Sequence, residues 1–363
     1  MNDQQHLGEM TMQENDLLGI QYNWAEKAIN SWELWYAKLL TELVNVTNGK
    51  EDRTGTGVNS ISHVSYTHDL RESFPLVRGR FLKPENPGKE MTWMLGGSSN
   101  EKDLAKLGVP FWSEFADATG ELGPVYGYLW RHWPNPDGTE TDQIAYVENL
   151  LKHNPTSRRI LVNCWHPSFI PDSKTPPKEN YKVGKQALTP CHFAWTVTCQ
   201  PMSFTDRLEW VNKQDFDLIA QIYSIMEKFG GGPETVKYMD EQNVPKFFSD
   251  LQFFMRSSDT VLGLPANFNM YGHLAHFIAK SHNFVARNLT YSGSDVHLYH
   301  NHFNGVEKYL GYLQDHPEVF NDVGQFELNV KRDSIVEYQP EDFVYINYSK
   351  EQVGPAIKFP VAV

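Results

Sequence analysis

The stretch Leu188-Thr189-Pro190-Cys191-His192, running into Phe193-Ala194-Trp195-Thr196-Val197-Thr198-Cys199, decides how this chain is read. The second part is apolar and rich in β-branched and aromatic residues, which predicts a strand. Pro190 sets a turn just before it. A thiol at the mouth of such a strand stands where a nucleophile could act. Buried structural cysteines are the commoner case, so the reading of Cys191 turns on what accompanies it.

The strand needs a partner, and Leu251-Gln252-Phe253-Phe254-Met255 supplies one. Antiparallel neighbours of this kind are ordinarily joined by a hairpin, yet about fifty residues intervene, so an insertion at about 203–247 interrupts the pair. Inside it Leu218, Ile219, Ile222, Tyr223, Ile225 and Met226 recur at helical spacing up to Gly230-Gly231-Gly232, which predicts a helix on a surface decoration rather than a second active site. Further helices are predicted over Trp24 to Val46 (Ile29, Trp32, Trp35, Tyr36, Leu39, Leu40, Leu43), Glu90 to Leu95 ended by Gly96-Gly97, Ile144 to His153, and Tyr271 to Phe284. Val58 to Tyr66 and Ile160 to Trp165 read as strands. The expected organisation is an N-terminal extension with a packing helix at 1–45 and one catalytic domain at 46–363.

With 363 residues, 40% apolar and 13% aromatic, the chain can bury a substantial core. A formal charge of −13 argues against a nucleic-acid duplex as partner, because phosphate binding needs a basic face. Any anionic ligand is then small and met by a local group of arginines. Cys164, Cys191 and Cys199 are irregularly spaced; they form neither a disulfide framework nor a metal-ligand pattern, and no metal is expected. The polar start Met1 to His6 and the absence of a long apolar run predict a soluble, cytoplasmic protein with no membrane partner.

Around the thiol stretch stand, in chain order, Arg53-Thr54-Gly55-Thr56-Gly57, Gly123-Pro124-Val125-Tyr126-Gly127, Ser157-Arg158-Arg159, then Arg256-Ser257-Ser258-Asp259, Leu262-Gly263-Leu264-Pro265-Ala266-Asn267, and His297-Leu298-Tyr299. Together these resemble the thymidylate synthase superfamily along most of residues 46–363. The resemblance implies an α+β, two-layer fold: a large, mixed, mostly antiparallel sheet covered by helices, with one sheet face used for dimerisation. It also implies dUMP and 5,10-methylenetetrahydrofolate as co-substrates and a homodimer as the working unit.

The chemistry explains why such residues are wanted. C5 of a pyrimidine is a poor nucleophile until a thiolate adds at C6, and Cys191 is the cysteine whose context suits that step. Nearby guanidinium groups favour a thiolate, and the resemblance places Arg256 beside Cys191. His192, adjacent on a strand, faces the other way and has a minor role. Planar, permanently charged forks suit a phosphate; by resemblance Arg53 and Arg256 with Ser257 serve it from one subunit, and Arg158 and Arg159 from the other. A side-chain amide matches the O4 and N3–H of uracil, and Asn267 holds the matching position, although an Asn that merely turns the chain after Pro265 is the plainer alternative. His297 and Tyr299, two apart on an extended segment, point to one face and match the pair that holds the sugar 3′-hydroxyl.

Further roles follow from the resemblance alone. Glu90 matches the glutamate that orders water and relays protons, and Tyr126 the tyrosine linked to removal of the C5 proton. Asp259 would bind the pterin, with Trp112, Leu262 and Gly263 lining the folate slot and Leu188 near the base. Phe359-Pro360-Val361-Ala362-Val363 resembles a tail that closes over the ligands.

The departures from the family pattern gather on the cofactor side. Arg78-Gly79-Arg80 replaces Thr-Thr-Lys-Arg, Gly96-Gly97-Ser98-Ser99-Asn100 replaces Gln-Gly-Asp-Thr-Asn, Ala266 stands for a phenylalanine and Phe115 for a tryptophan. After one-carbon transfer the base carries an exocyclic methylene, which hydride converts to dTMP and water to 5-hydroxymethyl-dUMP. A looser folate slot at Ala266 would spoil hydride geometry, so the reading at this stage favours a dUMP hydroxymethylase, with thymidylate synthase as the alternative and an inactive nucleotide- or RNA-binding relative as a third.

Overall fold

In the computed structural model, which describes residues 22–52, 55–172 and 174–361, the first helix spans Ser31–Val44. It begins later than its apolar periodicity suggests because the Asn30 side chain accepts the Glu33 backbone N–H at 3.1 Å and so caps the helix there. Its face of Trp32, Tyr36, Leu40 and Leu43 is almost completely buried, each such side chain contributing roughly 1.5–3 kcal/mol.

Five strands form the main sheet: β1 (Val58–Asp69), β2 (Leu161–Asn163), β3 (His192–Pro201), β4 (Phe247–Asp259) and β5 (Val285–Tyr299). Their spatial order is β1-β5-β4-β3-β2. Only β4 and β5 run parallel; the other three pairings are antiparallel. The sequence pairing holds, with Trp195 opposite Phe253 and Val197 opposite Leu251. The chain is therefore α+β, with a mixed, mainly antiparallel sheet and helices packed against it.

Trp195, Val197, Leu251, Phe253, Leu289 and Tyr291 are buried on one side of that sheet. Against them lies the Gly263–His282 helix, longer than the predicted Tyr271 to Phe284 segment. Its first turn looks like loop in sequence, but Asp259 Oδ1 accepts the Val261 and Leu262 N–H groups at 2.8 and 3.1 Å. Pro265 is tolerated so near the start, where its missing N–H costs nothing. The helix ends at Asn283, held at φ +56°. The other sheet face, with Leu161, Thr196, Gln252, Phe254 and Ser292, stays partly exposed.

The strand directions gather one end of the sheet. β4 and β5 both finish there, at Asp259 opposite His297, while β3 starts there after Cys191 and β1 starts there with Val58 opposite Tyr299. The segment between β3 and β4 leaves from the opposite end, at Pro201, about 30 Å along the strand from Cys191. It folds as three helices, Phe204–Gln214, Phe216–Phe229 and Pro233–Glu241, around a small core of its own made by Val211, Ile219, Ile222, Met239 and Val244.

The Glu85–Leu95 helix packs tightly on the short Tyr126–Arg131 helix. A Cβ on Gly127 would lie 2.1 Å from the Met94 carbonyl oxygen, so only glycine allows this approach. Gly127→Ala is expected to cost about 1–3 kcal/mol of stability, read as a lower urea midpoint; an unchanged midpoint would show that the two helices are not locked together there.

Candidate active site

Cys191 sits at the strand mouth, and Arg256 fixes it there. The Arg256 backbone N–H donates to the Cys191 carbonyl at 2.9 Å. Its guanidinium donates to Pro190 O through Nε at 2.8 Å and to Thr189 O at 3.0 Å, and lies 4.0 Å from Cys191 Sγ. The Trp165 ring, 5.8 Å away, flanks the same guanidinium. One side chain therefore shapes the turn before the thiol and places positive charge beside it.

That charge does not win on its own. Burial pushes the Cys191 thiol up, Arg256 pulls it down and Asp259 adds to the rise, so the net shift is upward. The sequence-based expectation of a lowered thiol is thus corrected: desolvation of the thiolate outweighs one guanidinium at 4.0 Å.

Tyr126 lies under Cys191, its hydroxyl oxygen accepting the Cys191 N–H at 3.1 Å. Its φ of +22° is a strained value for a non-glycine residue, costing of order 1–3 kcal/mol. His192 stacks on the Tyr126 ring, centroids 4.3 Å apart and planes 19° off parallel, and its Nδ1 meets the Tyr271 hydroxyl at 2.9 Å. Burial drives the His192 pKa down to about 3, so it acts as a neutral prop for Tyr126.

Glu90, on the helix behind Tyr126, accepts from Trp112 Nε1 at 2.8 Å. Crowding by protein raises its carboxyl above the usual range, with the Trp112 hydrogen bond opposing. The Trp112 ring lies 5.7 Å from that of Tyr126. Glu90, Trp112, Tyr126, Cys191 and Arg256 thus form one connected set.

Asp259 ends β4, Leu262 lies in the turn after it, and Gly263 and Asn267 stand in the first turns of the long helix. Asn267 Nδ2 lies 3.6 Å from Met255 Sδ, and Met255 is paired with His192 in the sheet. His297 faces Asp259 across β4 and β5; its Nδ1 is 3.3 Å from Asp295 Oδ1, and its ring meets Tyr299 edge-on at 5.1 Å. Ser257 is half-buried on β4. Leu188 is half-buried too, packed against the main core beside the thiol turn.

Arg158 and Arg159 are exposed and stand apart from this group. The next residue, Ile160, accepts the Val197 N–H at 3.1 Å, and Val197 is six positions past Cys191, about 20 Å along the strand. Arg53 and Val363 lie outside the described residues. Asp52 Oδ1 accepts the Gly57 N–H at 2.8 Å, and Gly57 O accepts that of His300 at 3.1 Å.

Sequence reasoning missed three neighbours. Trp165 beside Arg256 carried only the signal of an aromatic at a predicted strand end. Fully buried His302 has its Nδ1 3.9 Å from Asp259 Oδ1, and nothing in the sequence marks it. Arg80, treated as a departure on the folate side, is only 2% exposed and donates to Val261 O.

Because only the thiolate is alkylated and Arg256 favours it, Arg256→Ala is expected to slow iodoacetamide modification of Cys191 several-fold at fixed pH and to move its pH midpoint upward. An unchanged profile would remove Arg256 from the electrostatics of the thiol.

A family model described as Thymidylate synthase matches residues 34–218 and 238–363, the interruption falling inside the three-helix segment. The thymidylate synthase of Pseudomonas fluorescens (strain SBW25) is 33% identical over 332 residues, covering 90% of this chain and 99% of that protein. The thymidylate synthase of Francisella tularensis subsp. holarctica (strain OSU18) is 33% identical over 314 residues, 86% and 94% of the two chains. Matches of this extent show that the chain belongs to the thymidylate synthase family.

Proposed function

We propose that this chain transfers a one-carbon unit from 5,10-methylenetetrahydrofolate to C5 of dUMP and releases dTMP. The observation that carries the proposal is the Cys191 thiol held 4.0 Å from the Arg256 guanidinium at the sheet end where His297, Asp259 and the Asn267 helix also arrive. Sulfur bonds to C6, the electron pair moves to C5, and C5 takes the one-carbon unit; loss of the C5 proton expels the folate amine, hydride from that folate adds to the exocyclic methylene, and the C5–C6 double bond reforms as the C6–sulfur bond breaks. Tyr126 and Glu90 are the groups placed to handle protons, and Asn267 reads the uracil edge. Trp112, Leu262 and Gly263 line the folate side, Asp259 meets the pterin, and Arg53, Arg256, Ser257, His297 and Tyr299 take the nucleotide's phosphate and sugar.

The relatives support reductive methylation, with hydride from the folate completing the methyl group, better than the hydroxymethylated product that the departures suggested. Trp112, hydrogen-bonded to Glu90, fits the same outcome. A second reading keeps one specific support. Ala266, Leu262, Pro265, Leu82 and Tyr348 line a cavity of about 170 Å³ that also takes in Asn269. The space left open beside Ala266 has room for water, and water reaching the exocyclic methylene would give 5-hydroxymethyl-dUMP.

Mass analysis of the product from dUMP and methylenetetrahydrofolate separates these. dTMP with dihydrofolate is expected; 5-hydroxymethyl-dUMP with tetrahydrofolate would establish the second reading, and Ala266→Phe should then move the product back toward dTMP. Cys191→Ala is expected to lower turnover by roughly four orders of magnitude or more while keeping dUMP affinity. Preferential use of dCMP would overturn the role of Asn267.

The working unit is a homodimer in which Arg158 and Arg159 serve the neighbouring site. Arg158→Ala/Arg159→Ala and Cys191→Ala proteins, each inactive alone, should then regain up to about a quarter of wild-type activity when mixed and allowed to exchange subunits, because a random dimer restores one complete site. Mixtures as inactive as their components would show that the arginines act within their own subunit, and a fully active Arg158→Ala/Arg159→Ala protein would place both outside catalysis.

A further inference from the structure

The carboxy-terminal segment crosses a loop whose placement the active-site chemistry does not explain. Buried Glu33 accepts the Arg78 and Gly79 N–H groups at 2.8 Å each and the Tyr309 hydroxyl at 2.5 Å. Burial raises its carboxyl, with those three donors opposing. The loop so held receives the tail: the Gly354 N–H donates to Arg78 O at 2.7 Å, and a Cβ on Gly354 would lie 2.2 Å from Gly79 O.

Farther along, Phe359 turns inward while Lys358 and Pro360 stay exposed. Its ring lies 4.9 Å from the Arg80 guanidinium and meets the His302 ring edge-on at 5.4 Å. It also fills the space beside Gly305, where an added Cβ would stand 2.2 Å from Phe359 Cε1. The Pro360 carbonyl, which can only accept, takes a hydrogen bond from His302 Nε2 at 2.7 Å. The two residues that grip Phe359 also face the folate side: Arg80 donates to Val261 O, next to Leu262, and His302 Nδ1 faces Asp259.

We propose that Phe359 is a positioning residue that pins the carboxy-terminal segment, as far as Pro360, against the folate side of the site. It does so by a cation–π and edge-on clasp between Arg80 and His302, beside a wall that only glycine at 305 leaves open. The aromatic ring supplies both attractions. The Glu33-bound loop gives Arg80 a fixed place, so the amino-terminal helix takes part in holding the clasp. Phe359 touches no reacting atom; it acts through Arg80 and His302, which meet Val261 and Asp259. This rests on the folate-dependent reading above, and its test has one readout independent of turnover.

Five proteins decide it: wild type, Phe359→Ala, Phe359→Tyr, Gly305→Ala and the Phe359→Ala/Gly305→Ala double variant, each first shown to be folded by its far-UV spectrum. Phe359→Ala is expected to raise the KM for methylenetetrahydrofolate and lower kcat, together by roughly tenfold or more, while the Kd for dUMP stays within about twofold because the arginines hold it. Timed carboxypeptidase digestion should release its terminal residues faster than those of wild type. Gly305→Ala, which expels the ring without removing it, should give the same two changes. In the Phe359→Ala background it should add almost nothing, since the clash has lost its partner. Phe359→Tyr, which keeps the ring, should behave as wild type. Unchanged digestion and kinetics in Phe359→Ala, or fully additive effects of the two substitutions, would overturn the proposal. A wild-type protein without turnover but with the digestion pattern described would instead remove the functional reading and leave the clasp standing.

Discussion

The contact on which the site depends is the double hold of Arg256 on the Leu188 to Cys191 turn. Its backbone carries the sheet pairing one step past the last regular strand residue, to the Cys191 carbonyl, while its side chain ties down the two preceding carbonyls. A lysine has a point charge and no fork, so it could not bind both carbonyls and still present charge to the sulfur. The thiol is rigid because the cation beside it is also the brace of its turn. The parallel β4–β5 pair does the rest, since two parallel strands finish at one end of a sheet and their antiparallel neighbours begin there.

Burial sets the character of the site. It raises the Cys191 thiol, the Glu90 carboxyl and the Tyr126 hydroxyl, and it lowers His192 to about 3. Every one of these shifts favours the neutral form. Such a site has little charge of its own to solvate, so a charged or polarised group entering it feels Arg256 and the local dipoles at short range and low dielectric. The strained Tyr126 backbone belongs to the same economy: Gly127 against Met94, the His192 stack and the Cys191 N–H together hold a conformation that the chain would not choose alone.

Much of this was legible in the sequence where the signal is local. β-Branched and aromatic composition located the strand around Trp195, an apolar aromatic run its partner around Phe253, and the length of chain between them exposed the insertion. Helix ends were less legible because caps override periodicity: Asn30 shortens the first helix, and the Asp259 side chain lets a Gly-Pro-Asn stretch begin the longest one. Within the site, Cys191 and Arg256 could be paired from motif order. The Tyr126 hydroxyl under the Cys191 N–H, His302 on Pro360, and Glu33 on the Arg78 loop could not, being long-range contacts between residues ordinary in their own surroundings. Arg78 and Arg80 show the hazard in comparing motifs: read as altered folate contacts, they are buried, one bound to Asp322 and the Asn347 carbonyl, the other to Val261 and the Phe359 ring.

Burial therefore sorts the arginines of a chain that carries a net charge of −13. Arg78, Arg80 and Arg207 are buried, their guanidinium groups bound to carboxylates or carbonyls of the same chain. They hold structure. Arg71 and Arg287 are engaged by Asp69 and Asp250. Arg158 and Arg159 differ: both are exposed, and among the described residues neither has an acidic partner. With acidic residues in excess, two adjacent cations left without one are an unbalanced local charge. The geometry removes Cys191 of their own chain from reach, since the register sets them about 20 Å along β3 from it. The partly exposed sheet face around Leu161, Thr196 and Phe254 lies on the neighbouring strands. A second copy packed on that face is what the proposed role of the pair in a neighbouring site requires.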